Sequence, residues 1–278
     1  MVFLNPEVIS GLGEDTFWTW FAREFPNSRF ALPQQLKDED IILRYSTLGF
    51  HNVVPSKSVA LLWELLPEMR QVFKSNEWDD KILKTYETAK YSTFRVATTP
   101  LVKEYYEQFG SIEIIPIGVD TNVFKPMKNK NELKRKYNIP QNRRIGFWGG
   151  TTHPMKGYKN LLKYAKENPE IYWIVVWKQQ YEAGFMPDNS NFIQVDQNTL
   201  AELMNCADFF LSSGLLRPFY MIEWEAMSCN LPIIVTEKLK KDFEPSENPR
   251  QDIFELGWNR GAVKIKWIEY FEKRGIKW

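Results

Sequence analysis

Short apolar runs rich in valine, isoleucine and phenylalanine recur along this chain, and most are separated by stretches with the spacing of an amphipathic helix. The first series runs through residues 2–5 (VFLN), 41–44 (IILR), 59–63 (VALLW), 94–99 (FRVATT) and 112–117 (IEIIPI), with helical patterns such as EDTFWTWFAREF and PLVKEYYEQF between them. A second series follows the charged segment KNKNELKRKYNIPQNRR: IGFWG, IYWIVVW, NFIQV, DFFLSS and PIIVT, spaced by YKNLLKYAKEN, TLAELMNCA and MIEWEAMSC. Thr199 and Glu202 have the spacing of a capping box, which predicts that the middle helix starts there. Strands this apolar on both faces need helices on both sides, as in doubly wound parallel sheets. Such sheets bind ligands outside the C-terminal ends of their strands, so the expectation is two Rossmann-like domains facing across a cleft.

A length of 278 residues suits two modest cores better than one. The division is expected near residue 122: a first domain over 1–122 and a second over 123–278, with the terminal helix (about 261–273) packing back on the first. Apolar residues at 44% and charged residues at 26% are globular values, and a net charge of +1 supplies no overall field for nucleic acid or an anionic membrane. Any polyanion site must be local. No apolar run approaches the roughly 20 residues of a membrane span, and MVFLNPEVISGLGED lacks the regions of a signal peptide, so a cytoplasmic location is expected. Cys206 and Cys229 have neither metal-ligand spacing nor a Cys-x-x-Cys arrangement and read as reduced, buried thiols. Aromatic residues at 15%, with 11 Trp, suit stacking on sugars or bases and suit a core of large side chains equally well.

Between the two series lies GSIEIIPIGVDTNVFKPM (110–127), where Pro116 ends the strand, Gly118 supplies a turn, and Phe124 with Pro126 directs the chain onward. Its core, IPIGVDTNVFKP, also resembles the PNGVD...F.P segment of the family 4 glycosyltransferases, which have the two-domain fold called GT-B. Downstream, in the same order, FWGGTTHPMKGYKNLLKYAK is similar to that family's glycine-rich loop followed by Lys-Gly and a helix. LAELMNCADFFLSSG resembles its eL...Y..ADvfvlPS stretch, and IEWEAMSCNLPIIVT resembles lEAMAcG.PVV.t. The resemblance covers about residues 94–236 and the first 90 only loosely.

A nucleotide-sugar donor carries a diphosphate whose charge grows as the glycosidic bond breaks, and cations and helix N-termini neutralise such charge. Lys156, just ahead of the helix in GYKNLL, can place its ammonium there while backbone N–H groups of Gly149 and Gly150 approach closely; a solvated loop lysine would look the same. Glu225 matches the glutamate that the resemblance assigns to the donor ribose, the plainer reading being a solvated glutamate in a helix's first turn. In SGLGED, Gly11 and Gly13 permit close approach to phosphate or sugar, as an ordinary βα turn would too.

Departures from the family pattern are equally informative. Arg217 stands where the family has a second glutamate, eight positions before the first, and Gly150 stands where it has an arginine six positions before the loop lysine. The guanidinium of Arg217 could hold the diphosphate in the missing arginine's stead. ALLWELLPEM resembles the tvHD..p strand end, with Trp63 in place of the histidine and Glu64 at the acid position. Glu64 is therefore a candidate for contacting the acceptor hydroxyl or the donor sugar, against the alternative of a polar strand-end residue.

Asp38 and Asp40 form an Asp-x-Asp, but ahead of a strand rather than after one, and no metal is expected there. His153 and His51 read as loop residues, and no Ser-His-Asp or Cys-His set announces a covalent catalyst. The terminal VKIKWIEYFEKRGIKW is either a docking helix or a basic helix for peripheral membrane contact or nucleic acid. Together these readings imply a compact, reduced or viral-type GT-B glycosyltransferase. It would need no cofactor beyond its nucleotide-diphosphate sugar substrate and, as the resemblance implies, would transfer hexose or pentose with retention. Acceptors left open are a glycan, a lipid-linked sugar or a modified base in phage DNA. A degenerate nucleotide-sugar-binding protein is the rival class.

Overall fold

The computed structural model describes residues 2–4, 13–30, 35, 41–45, 58–63, 70, 76–152, 154–177, 189–215, 221–235 and 246–278. The chain divides into two compact units, Met1–Gly118 with Gly261–Trp278, and Val119–Arg260.

The first unit holds strands β1 (Val2–Leu4), β2 (Arg29–Phe30), β3 (Ile42–Tyr45), β4 (Ser58–Leu62), β5 (Phe94–Ala97) and β6 (Glu113–Ile114) in one parallel sheet of order β2-β1-β3-β4-β5-β6. Every described residue of β4 is buried, which requires cover on both faces. Helices α1 (Gly13–Glu24), α2 (Glu77–Tyr91), α3 (Pro100–Tyr106) and most of α9 (Arg260–Glu272) belong to this unit. Helix α3 begins as sequence rules dictate: Thr99 accepts from the Val102 N–H, and Pro100 occupies the first turn, where no donor is missed.

The terminal helix is docked by its aromatic face. Trp267 and Phe271 are fully buried, Phe21 meets Trp267 at 5.1 Å and Phe25 meets Phe271 at 5.7 Å, both edge to face. Each such side chain contributes about 1.5–3 kcal/mol by burial. Lys264 of this helix is met by Glu24 at 2.9 Å, and Arg274, just beyond its end, by Glu113 at 2.5 Å. Among the described residues, no helix is long and apolar enough to cross a membrane.

The second unit holds β7 (Ile145–Gly150), β8 (Tyr172–Trp177), β9 (Asn189–Ile193), β10 (Phe209–Ser212) and β11 (Ile233–Val235), all parallel, in the order β11-β10-β7-β8-β9. Its helices are α4 (Lys130–Lys136), α5 (Tyr158–Glu167), α6 (Gln197–Cys206), α7 (Met221–Ser228) and α8 (Pro249–Glu255). Strand alternation sorts the core. Trp148, Val175, Phe209 and Leu211 face Tyr158, Leu161 and Ala165 of α5, whereas Phe147 and Phe210 stack on the opposite face at 5.8 Å. Strand order reverses between β7 and β10, so the crevice where such a sheet binds ligands opens at the C-terminal ends of those two strands.

Helix α6 starts earlier than the capping-box spacing predicts. Asp196 is its N-cap and accepts from the Thr199 N–H at 2.9 Å, while Glu202 instead binds the Tyr137 hydroxyl and Lys136 at 2.5 Å each. An aspartate, a stronger acceptor whose carboxylate reaches one bond further, displaces the threonine as cap. The GVDTNVF segment is laced into the second unit. Gly118 takes φ 83°, Val119 pairs with Asn259, and Phe124 is 1% exposed, its carbonyl accepting from Ser228 and Arg250.

Candidate active site

The crevice between β7 and β10 is built from close approach of backbone to backbone. After Gly149 and Gly150 the chain makes a 3₁₀ turn over Pro154–Lys156 and enters α5 through Gly157, which holds φ 73°. A Cβ on Gly157 would lie 1.7 Å from the Ser213 carbonyl oxygen, so only glycine permits this turn to sit on the end of β10. The contact is sewn by side chains that sequence inspection did not single out. Asn160 donates to the Ser213 carbonyl at 2.9 Å, Trp148 Nε1 donates to Ser213 Oγ at 2.9 Å, and Ser213 Oγ donates to the Lys156 carbonyl at 3.3 Å. The Leu215 N–H donates to the Met155 carbonyl at 3.0 Å.

Lys156 is thereby fixed at its backbone, half-buried, with its Cβ and Cγ packed within 3.8 Å of the place a Gly150 side chain would occupy. The first N–H groups of α5 open at the same turn, a partial positive charge on the segment that carries Lys156.

On the other side of the switch point sits α7. Ile222 fills the space over Gly149, where a Cβ would come within 2.3 Å of Ile222 Cδ1, and Glu223 accepts from Ser212 Oγ at 2.5 Å. Glu225 is the fifth residue of this helix, not a residue of its first turn, and it is 8% exposed. The reading of a solvated first-turn glutamate therefore does not apply. Burial, together with the Glu225 carboxylate, pushes the Cys229 thiol up to about 12.

The structure thus brings Gly149, Gly150, Lys156 and the α7 turn that precedes Glu225 to one strand-end junction of the second unit. Gly13 is the first residue of α1 in the other unit. Gly11, Glu64, Arg217, His153, His51, Asp38 and Asp40 lie outside the described residues. Trp63 is 7% exposed and stacks on Trp18 at 6.5 Å within the aromatic cluster of α1. Two polar residues escaped the sequence reading. Glu223 is 4% exposed and carries no signal beyond its position two residues before Glu225. Arg44, 1% exposed on β3 in register with Leu4 and Ala60, is lowered by burial to about 10. Among the described residues, no group of three or more His, Cys, Asp or Glu could hold a metal ion.

No family model matches the chain. Over 150 residues it is 26% identical to the UDP-Gal:alpha-D-GlcNAc-diphosphoundecaprenol alpha-1,3-galactosyltransferase of Escherichia coli, a match that takes in 49% of this chain and 39% of that relative's length. Among solved structures, HepE (Alr3699) of Anabaena in complex with UDP-glucose superposes with a TM-score of 0.74 at 13% identity, over 98% of this chain and 99% of that one. Sucrose-phosphate synthase of Thermosynechococcus elongatus superposes with a TM-score of 0.68 at 14% identity, over 84% and 73% of the two chains. With its two parallel sheets, each reversing strand order once, the chain has the GT-B fold of paired Rossmann-like α/β domains.

Proposed function

We propose that this protein transfers a sugar from a nucleotide-diphosphate sugar to an acceptor hydroxyl. The observation that carries the reading is the convergence on the end of β10 of the Lys156 turn, through Ser213, and of helix α7, through Ser212 and Glu223. A cation with helix N–H groups on one side of a strand-order reversal and a buried carboxylate on the other suit a diphosphate and a ribose in turn. Lys156 and the α5 N-terminus take the growing charge of the leaving diphosphate, and Glu225 accepts from ribose hydroxyls. Similarity to an E. coli galactosyltransferase, and to a fold solved with UDP-glucose in another protein, supports a nucleoside-diphosphate hexose as donor.

Transfer with retention follows if the diphosphate itself receives the acceptor proton on the face it leaves, a route that asks for no enzymatic base. Lipid-linked and glycan acceptors are favoured over nucleic acid because the match is to an enzyme named for a diphosphoundecaprenol acceptor. Arg217, in place of a carboxylate, favours one second reading: a protein that binds nucleotide sugars without turnover.

Hydrolysis of UDP-, GDP- and ADP-sugars, followed by release of the free sugar, tests the proposal. Slow leakage from one donor, cut roughly 100-fold by Lys156→Ala, is the expected result, and NMR of the released anomer reports the stereochemistry. Binding without leakage would establish the second reading, and neither binding nor leakage would end both.

A further inference from the structure

Two carboxylates are buried in α7, and the proposed chemistry uses only Glu225. Glu223, at 4% exposed, needs its own account, because a buried polar side chain is retained where a hydrogen bond holds it. Its Oε1 accepts from Ser212 Oγ at 2.5 Å, and Ser212, 6% exposed, is the last residue of β10. The neighbouring residue, Ile222, sits on Gly149 near the end of β7. The opening turn of α7 is therefore pegged to both strands that flank the reversal of strand order, by an apolar contact on one and a buried hydrogen bond on the other.

We infer that Glu223 is a positioning residue: held by Ser212, it fixes the register of α7 over the two strand ends and so sets where Glu225 stands for the nucleotide. The inference rests on the proposed function, since Glu225 needs a ligand for its position to matter. Glu223 suits the task better than an apolar residue because a hydrogen bond specifies one rotation and one height of the helix, whereas an apolar contact tolerates sliding. What matters is the acceptor oxygen, so glutamine should serve and leucine should not.

The test measures binding of UDP, GDP and ADP by calorimetry to wild type, E223Q, E223L, S212A and the E223L/S212A double variant, with thermal melting of each. Where wild type binds one of the three, E223L and S212A should each weaken it about tenfold, the double variant should be no weaker than either single, and E223Q should stay within about twofold. If nucleotide affinity holds in both E223L and S212A while only melting changes, the pair is structural alone and the inference falls. Equal loss in E223Q and E223L would overturn it too, since the charge would then act directly. Should E223L fail to fold, S212A and E223Q decide by the same readings. Absence of binding by the wild-type chain would instead sink the proposed function, and this inference along with it.

Discussion

Arg260 donates to Asp120 Oδ2 at 2.8 Å, joining the segment that leads into the second unit to the segment that leads out of it. The two stretches run side by side: the Val119 N–H donates to the Trp258 carbonyl at 2.9 Å and the Arg260 N–H to the Val119 carbonyl at 3.0 Å. Asp120 also caps the following turn, accepting from the Asn122 and Val123 N–H groups. Both side chains are less than one-fifth exposed, so the pair is shielded from screening by salt. Arg260→Ala should destabilise the second unit by about 1–3 kcal/mol, seen as a lower urea midpoint with an unchanged slope. An effect within error would mean that the pair is only a surface contact.

Gly157 is the tightest point of the candidate site, and substitution there is penalised twice. Alanine would need φ 73° and would drive its Cβ to 1.7 Å from the Ser213 carbonyl oxygen, a backbone atom that cannot swing aside. Gly157→Ala should cost more than the roughly 1 kcal/mol of a left-handed alanine alone, and it should displace the Lys156 turn from β10. Thermal melting together with nucleotide binding checks this, and a variant as stable as wild type that binds as well would contradict the geometry.

Much of this architecture was legible in the sequence because most second-unit strands are continuous apolar runs bounded by glycine, proline and polar residues; β9, Asn189–Ile193, opens on three polar residues and starts two residues before the apolar run NFIQV suggests. IYWIVVW and DFFLSS read directly as β8 and β10. Strand β2 did not, since Arg29 and Phe30 form too short a run to show a period. The start of α6 was misplaced because a threonine with a glutamate three residues later outweighed Asp196, whose advantage lies in reach rather than in pattern. Glu223 stayed hidden for a related reason. A glutamate near a helix start is ordinarily solvated, and only the packing of α7 onto the end of β10, with Ser212 donating to it, reveals it as buried. Order along the chain shows what each segment becomes, but not which strand ends meet.

Lys156 faces a sharper test than loss of turnover. If its ammonium carries the diphosphate charge, Lys156→Ala should weaken a nucleoside diphosphate far more than the nucleoside alone, and should slow sugar release by roughly 100-fold. Glu225→Gln should weaken diphosphate and nucleoside alike, because both carry the ribose. Calorimetry with UDP and uridine distinguishes the two patterns. Equal losses for Lys156→Ala on both ligands would move the lysine away from the phosphates.

Cys206 and Cys229 are both buried, and burial pushes each thiol up to about 12. At about pH 8 each thiol is therefore held in its protonated, unreactive form. In the folded protein neither should react with Ellman's reagent over minutes, and both should react at once in guanidinium. Prompt labelling of the native chain would show that α6 or α7 opens locally at low cost.

Asp208 ties the start of β10 to β7 and α4, accepting from the Ile145 N–H at 2.8 Å and from Lys130 at 2.6 Å. Burial alone would raise its carboxyl, but those two partners outweigh burial and hold it below the ordinary value of 3.8. Because the folded value is lowered, the stabilisation is fully present above the unfolded value of about 3.9 and fades as pH falls through the lowered one. Asp208→Asn should therefore be less stable than wild type at neutral pH, with the gap narrowing as pH drops below about 4. Urea unfolding of both proteins across that range measures it, and a gap independent of pH would show that the amide loses shape complementarity rather than charge.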